Sequence, residues 1–304
     1  MTIAGLAAHF PALDSHTPVL IAGPTACGKS TLALQIAETY GGVVINADAI
    51  QVYGALRCLT ARPTVEDEQK APHLLYGHIA YDQPYSVGQW LRDVTPLLHG
   101  GERPIIIGGT GLYFQALTQG LADIPQISPQ IVARSEQILA TAGHRALAAE
   151  LDAATAARID LHNPMRVQRA WQVLNSTGRG LAAWQDGTPP PALRVSDSLP
   201  IVFDVARDWL KQRIETRFES MVKGGAVDEI RALLPVWSPE LPCAKAIGAR
   251  QLVAYLKGEI SLETVQSEAT IATQQFAKRQ RTWFRSKMAD WHTYTPSEAA
   301  RTTP

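Results

Sequence analysis

An α/β fold, with a P-loop-containing three-layer core around a parallel sheet plus an inserted all-helical domain, is predicted from three observations. Short unbroken apolar runs ending in Gly or Asp recur along the chain and alternate with helical patterns. Such runs suit strands buried on both faces, and the alternation makes successive βαβ crossovers. One of the runs leads directly into a Gly-rich phosphate-binding motif, and a central stretch without a convincing strand breaks the rhythm.

Residues 18–23 (PVLIAG) are the first strand, followed by a helix over 29–39. VVINAD (43–48) is the second strand, and the helical pattern resumes over 86–99. PIIIGG (104–109) is the third strand and opens into a helix over 110–119. From about 122 to 197 the chain is Ala-rich and helical, bounded by Asp123-Ile124-Pro125 and by the loop DGTPPPALR, which marks an inserted helical domain. Within it Asn163 can cap a helix that begins at Pro164 and is ended by Gly178, which places Arg166 and Arg169 three apart on one face. PIVFDV (200–205) is the next strand, then helices over 208–223 and 245–257 and a long one over 262–287. The core is therefore discontinuous, 1–121 with 198–304, and residues 122–197 interrupt it.

The 304 residues can bury a substantial core without disulfides or metal staples. Twenty-eight Lys plus Arg balance 28 Asp plus Glu, so any nucleic-acid footprint must be local rather than spread over the surface. Cys27, Cys58 and Cys243 form no CxxC or His/Cys cluster, and the eight histidines show no metal spacing. The opening residues MTIAGLAAHFPALD lack the basic start of a secretory signal, and no apolar stretch nears the roughly 18 residues of a membrane span. A soluble cytoplasmic monomer, without a membrane partner, is the expectation.

Gly23-Pro24-Thr25-Ala26-Cys27-Gly28-Lys29-Ser30 matches GxxxxGK[ST] without a gap, between a predicted strand and a predicted helix. Glycines let the backbone wrap phosphate oxygens, amide N–H groups and the helix N-terminus supply positive potential, Lys29 adds a point charge, and Ser30 can hold Mg²⁺. A diphosphate is what such a loop grips, and most such loops bind ATP or GTP. Cys27 is read as a small filler residue. Three readings are open for Asp48 at the end of the second strand: a carboxylate on Mg²⁺, a base aimed at a substrate, or the cap of the next turn. The third strand ends in Gly108-Gly109-Thr110 without an acidic residue, which weakens ATP hydrolysis; Thr110 is either an N-cap or a site residue.

GPTACGKS, INADAIQVYGALRCLTARPT, APHLLYGHI, YSVGQWLRD, RPIIIGGTGLYFQALTQGL, NPMRVQRAWQVLNSTGR, KAIGARQLVAYLKGE and FAKRQRTWFR occur in this order over roughly residues 18–287. In this the chain resembles the tRNA dimethylallyltransferases. The resemblance implies transfer of a dimethylallyl group from dimethylallyl diphosphate to N6 of the adenine at tRNA position 37, beside the anticodon, with no ATP consumed. It implies that residues 23–30 hold the leaving diphosphate, that Asp48 is the general base, and that Thr110 contacts the target nucleotide. Arg213 and Arg217, i and i+4 on one helix, suit a diphosphate clamp, against which stands ion pairing with Glu215 and Glu219. The partner is the tRNA anticodon stem-loop, whose target base must be pulled from its stack.

By resemblance four segments supply the supporting RNA contacts. They are Asp48, Ala49, Ile50 and Gln51; Met165, Arg166, Val167, Gln168 and Arg169; Lys245, Ala246, Ile247, Gly248, Ala249 and Arg250; and Lys278, Arg279, Arg281 and Arg285 of the long terminal helix. That last stretch concentrates Lys278, Arg279, Arg281, Arg285 and Lys287 around Trp283 and Phe284, either an RNA surface or a solvated helix face. Arg134 competes with Val132 for a further contact early in the insertion. The chain departs from the family pattern at Gly54, Asn163, Ala249 and Gln274. The rival functions are a P-loop small-molecule kinase using ATP, which leaves the basic helix unexplained, and a non-catalytic RNA binder, which has no use for a base beside a phosphate cradle.

Overall fold

The computed structural model describes residues 16–296, so the opening segment read for a secretory signal lies outside the described residues. Six strands, β1 (Val19–Ala22), β2 (Val43–Asn46), β3 (His73–Leu74), β4 (Pro104–Gly108), β5 (Leu199–Phe203) and β6 (His292–Tyr294), form one sheet in the order β3-β2-β4-β1-β5-β6 with every pairing parallel. The four apolar runs expected as strands are β1, β2, β4 and β5. The edge strands β3 and β6 carried no such signal, because they are two and three residues long and partly exposed.

The helices of the sheet unit are α1 (Lys29–Tyr40), α2 (Val65–Lys70), α3 (Val87–Val94) and α4 (Gly111–Gln119); those of the insertion are α5 (Pro129–Ala142), α6 (His144–Ala149), α7 (Ala153–Arg158), α8 (Pro164–Thr177) and α9 (Leu181–Asp186). After β5 come α10 (Arg207–Met221), α11 (Val227–Leu233), α12 (Ala249–Leu256) and α13 (Leu262–Lys287). Strand residues alternate between faces. Val19, Ile21, Val44, Ile105 and Ile107 pack with Leu32 and Ile36 of α1 and Leu210 and Ile214 of α10. Leu20, Ile45 and Ile106 point the other way and are equally buried, as are Trp90 of α3 and Phe114 and Leu117 of α4. That is the three-layer α/β core.

The chain divides into two compact units, the second being Gln119–Ala192. The sequence placed the insertion at 122–197; residues 193–197 go with the sheet, since Leu193 N–H donates to Leu117 O and a 3-10 turn, Val195–Asp197, leads into β5. The helical unit has its own core of Leu147, Val167 and Trp171, with Ile131, Ile138 and Leu139 against it. Buried Ser135 accepts hydrogen bonds from Gln168 and Gln172 and so joins α5 to α8. Asn163 caps α8 by accepting from Arg166 N–H, and Gly178 closes it with φ 69.

One contact fixes how closely the site-bearing strand ends approach. A Cβ at Gly108, the last residue of β4, would fall 2.0 Å from Ala47 O just past β2. Gly108→Ala should therefore lower the unfolding free energy by about 1–3 kcal/mol, the cost typical of overpacking. Chemical denaturation reads this, and an unchanged midpoint would show that the two strand ends can separate freely.

Candidate active site

β2, β4 and β1 lie side by side, and the loops leaving their C-terminal ends build the site, as in other open parallel sheets. After β1, residues 23–30 turn back on themselves through two left-handed positions, Ala26 (φ 61) and Gly28 (φ 93). Left-handed turns of this kind line up amide N–H groups into an anion-binding hollow, and Gly28 hands the loop to the open N-terminus of α1. Lys29 Nζ donates to Pro24 O at 2.7 Å and lies 3.8 Å from Cys27 Sγ. Burial draws the Lys29 pKa below the ordinary lysine value and pushes the Cys27 thiol up. Cys27 is thus a neutral filler that can serve the loop only through its backbone. Ser30 is exposed beside Lys29.

α10 buries Leu210, Ile214 and Phe218 and turns its arginines onto this loop. Arg213 Nε donates to Ala26 O at 2.9 Å and Arg217 Nη1 to Thr25 Oγ1 at 3.0 Å. Burial lowers the Arg217 pKa, and Asp48 is the largest influence acting in the opposite direction.

Asp48 is held in place by Asn46, the fully buried last residue of β2. Asn46 Oδ1 accepts from Asp48 N–H, while its Nδ2 donates to Asp48 O and Leu75 O. Trp90 Nε1 donates to Asn46 O at 2.7 Å, so α3 pins the same strand end. Asp48 Oδ1 accepts from Ile50 N–H at 2.9 Å, whereas Oδ2 has no hydrogen-bond partner among the described residues. Thr110 is not a side-chain cap: its Oγ1 accepts from Ala49 N–H at 2.9 Å and ties the β4 turn to the Asp48 loop.

Two cavities meet here. The smaller, about 160 Å³, is lined by Lys29, Ser30 and Tyr76; the larger, about 640 Å³, is lined by Leu59, Leu112, Phe218, Ile247, Phe276 and Trp283 among others. Thr25, Asp48, Gln51, Gly109, Arg217 and Gln280 line both. A charged, phosphate-sized hollow thus opens into an apolar chamber with the Asp48 carboxylate at the junction. Tyr76 stays protonated there, since burial pushes its pKa far up.

The RNA-contact candidates separate by exposure. Lys245 and Arg279 border the larger cavity; Lys278 is exposed, and so is Arg285, which pairs with Asp204 at 3.2 Å. Arg281 is half-buried with Nε lacking a hydrogen-bond partner, and Arg250 is exposed with Nη2 donating to Pro239 O. On the helical unit Arg134, Met165, Arg166 and Arg169 are exposed. Five of the expected contact residues are buried, Ala246 among them at the wall of the larger cavity. Val167 is fully buried in the helical core, Gln168 is buried with its amide committed to Ser135, Ala249 is fully buried, and Gly248 is buried where a Cβ would fall 2.9 Å from the Phe218 ring. Val167, Gln168 and Ala249 each sit next to an exposed arginine and turn into the core, while Gly248 lies between half-buried Ile247 and buried Ala249. Gln51 is present at the junction, but its amide holds Thr60 O and Ala61 O.

Asn46, Tyr76, Phe276 and Gln280 were missed in the sequence. Gln280 lies inside the basic run KRQR, where only its neutrality among charges could have drawn notice. No cluster of three or more His, Cys, Asp or Glu side chains suited to a metal occurs among the described residues, and none of the described helices is long and apolar enough to cross a membrane.

Residues 51–287 match the family model described as IPP transferase, and residues 17–76 match one described as isopentenyl transferase. A tRNA dimethylallyltransferase from Cereibacter sphaeroides is 56% identical over 282 residues, covering 93% of this chain and 90% of that one. Its counterpart from a Ruegeria species is 56% identical over 284 residues, covering 93% and 97%. Among solved structures, the tRNA isopentenylpyrophosphate transferase of Bacillus halodurans aligns with TM-score 0.65 and 30% identity, covering 92% and 90% of the two chains.

Lys29 is a cation held in a dehydrated loop, so Lys29→Met should raise the melting temperature of the ligand-free protein while abolishing affinity for diphosphate. Because folding lowers this pKa, the parent gains stability as pH rises toward the unfolded value of about 10.4, and the advantage of the variant should shrink over that window. Thermal unfolding with and without Mg²⁺ and diphosphate reads both effects. A lower melting temperature for the ligand-free variant at neutral pH would refute the cost of burial.

Proposed function

The chain belongs to the IPP transferase family, and from that premise we propose which of its residues carry the transfer of a dimethylallyl group to tRNA. The reaction moves the group from dimethylallyl diphosphate to N6 of the adenine beside the anticodon, giving N6-dimethylallyladenosine and diphosphate. The kinase alternative is not favoured, because the relatives that match along most of the chain are named as transferases on tRNA.

The observation that carries the residue assignment is Asp48 Oδ2, unpartnered where the two cavities join. In the step we assign, adenine N6 attacks the allylic carbon, the C–O bond breaks, and diphosphate leaves into the smaller cavity. Asp48 Oδ2 takes the proton that N6 loses. The exocyclic amine is a weak nucleophile, so Asp48 must be aimed, and the Asn46 and Ile50 contacts aim it. Charge developing on the leaving oxygens is met by the loop amides of residues 23–30, by Lys29 and by Arg217, with Arg213 bracing the loop at Ala26 O. The dimethylallyl group and the flipped base occupy the apolar chamber, where Trp283 and Phe276 offer ring surface and Thr110 positions the nucleotide.

Mg²⁺ fits this donor set. Ser30 offers a hard hydroxyl oxygen at the small cavity, and an ion held there would draw its other ligands from diphosphate oxygens and water, the usual habit of Mg²⁺. Mg²⁺ bound at Ser30 would neutralise charge on the diphosphate.

The tRNA partner is engaged by the exposed cations Lys245, Lys278, Arg279 and Arg285 of the sheet unit and by Arg134, Met165, Arg166 and Arg169 of the helical unit. One chain contains every residue assigned, so a monomer suffices, and the enzyme works in the cytoplasm where its tRNA is.

Incubating the protein with unmodified tRNA, dimethylallyl diphosphate and Mg²⁺ but no ATP, followed by nucleoside mass analysis, should show the dimethylallyl adduct. Asp48→Ala should remove the adduct and leave tRNA affinity within about threefold of the parent; parallel loss of both would remove Asp48 from the role of base. A paired change, Lys278→Ala with Arg279→Ala, should weaken tRNA binding and flatten its dependence on salt by about one unit of log–log slope per lost phosphate contact. An unchanged slope would make this turn of α13 purely structural.

A further inference from the structure

Gln280 of α13 makes two hydrogen bonds of opposite sense, one as acceptor and one as donor, which its amide supplies from a single side chain. Its Oε1 accepts from Thr25 N–H at 2.9 Å, and its Nε2 donates to Gly109 O at 2.9 Å. Both partners are backbone groups with fixed roles, so the orientation of the amide is determined: an N–H only donates and a C=O only accepts. A Glu of the same length offers two acceptors when ionised, a Lys only donors, and a Leu neither. The side chain is buried, where a lost partner is costly.

What it connects gives this pair of bonds its meaning. Thr25 belongs to the phosphate loop and is held a second time, at Oγ1, by Arg217. Gly109 immediately precedes Thr110, whose hydroxyl fixes Ala49 N–H next to Asp48. A Cβ built at Gly109 would fall 2.3 Å from Gln280 Nε2 and 3.4 Å from Asp48 Oδ2, so the amide lies alongside the carboxylate. Gln280 also lines both cavities. It therefore spans the grip on the leaving group and the support of the base, from a helix turn whose neighbours Lys278 and Arg279 are exposed.

We propose that Gln280 is a positioning residue that sets the spacing between the departing diphosphate and Asp48, and that through it RNA docking on α13 is transmitted to the phosphate loop. This rests on the assignment of residues 23–30 to diphosphate and of Asp48 to the base. In a displacement whose rate depends on alignment, a link of this kind acts on turnover more than on affinity. Neither substrate has to touch Gln280. RNA contacts at Lys278 and Arg279 hold α13, α13 holds Thr25, and the loop is then presented at a fixed distance from the carboxylate.

The test uses Gln280→Leu, which removes both bonds at similar volume, and Gln280→Glu, which keeps the acceptor for Thr25 N–H and loses the donor to Gly109 O. Each variant is read for kcat in the adduct assay, for equilibrium binding of tRNA and of inorganic diphosphate with Mg²⁺, and for Tm. Gln280→Leu should lose about tenfold or more in kcat with both affinities within about threefold of the parent. Gln280→Glu should lose kcat as well and also bind diphosphate more weakly, since it adds a negative charge beside the loop; if the Leu variant does not fold, the Glu variant carries the test through its kcat and its tRNA affinity. The proposal is overturned if kcat stays within about twofold in both variants, or if kcat, both affinities and Tm fall in step as a loosened structure would make them. A folded parent enzyme that makes no adduct would instead sink the transfer assignment on which the proposal rests.

Discussion

Two half-buried cations, Lys29 and Arg217, stand together at the phosphate loop, and the rest of the site depends on the structure that keeps them there. A buried positive charge without its anion is costly, and the lowered pKa values of both groups register that cost. The loop answers with its own carbonyl, Pro24 O, and with the Thr25 hydroxyl, so neither cation is without a hydrogen bond before substrate arrives. In the proposed reaction the same arrangement would spare reorganisation, because donors already in place meet charge as it develops on a leaving group. Stability given up at the loop is offset by the buried strands β1, β2 and β4.

Asp48 shows how finely a loop residue can be placed by its neighbours. Its main chain is clamped by the side chain of Asn46, one carboxylate oxygen is spent on Ile50 N–H, and the other is left over. The proposed base role requires an oxygen within hydrogen-bond reach of its proton, and Oδ2 is the one left for it. The tie from Thr110 to Ala49 brings the β4 turn into the same arrangement, so loops from two neighbouring strands agree on a single position.

What could be read in the sequence was whatever is local. The phosphate loop is eight consecutive residues with their chemistry in order, and the four central strands are runs whose burial on both faces shows as unbroken hydrophobicity. The arginines of α10 were legible as a pair from helical spacing, although only the fold shows that they brace Ala26 and Thr25. Gln280 was hidden because its partners lie 255 and 171 residues away, and Asn46 because an amide at a strand end has no pattern of its own. Contiguous stretches named as contact surfaces do not share one exposure. Consecutive residues of a helix point about 100° apart, so Val167 and Gln168 turn inward while Arg166 and Arg169 stay outside.

The hydrogen bond from Leu193 to Leu117 has a bearing on how such a chain is assembled and how it diversifies. It joins the two points where the polypeptide leaves and re-enters the sheet unit, so from the standpoint of that unit Gln119–Ala192 is a single loop with its ends already closed. The entropy of closing a loop grows only with the logarithm of its length. Lengthening, trimming or re-lettering the helices between those points therefore adds little to the cost of closing that loop on the sheet unit.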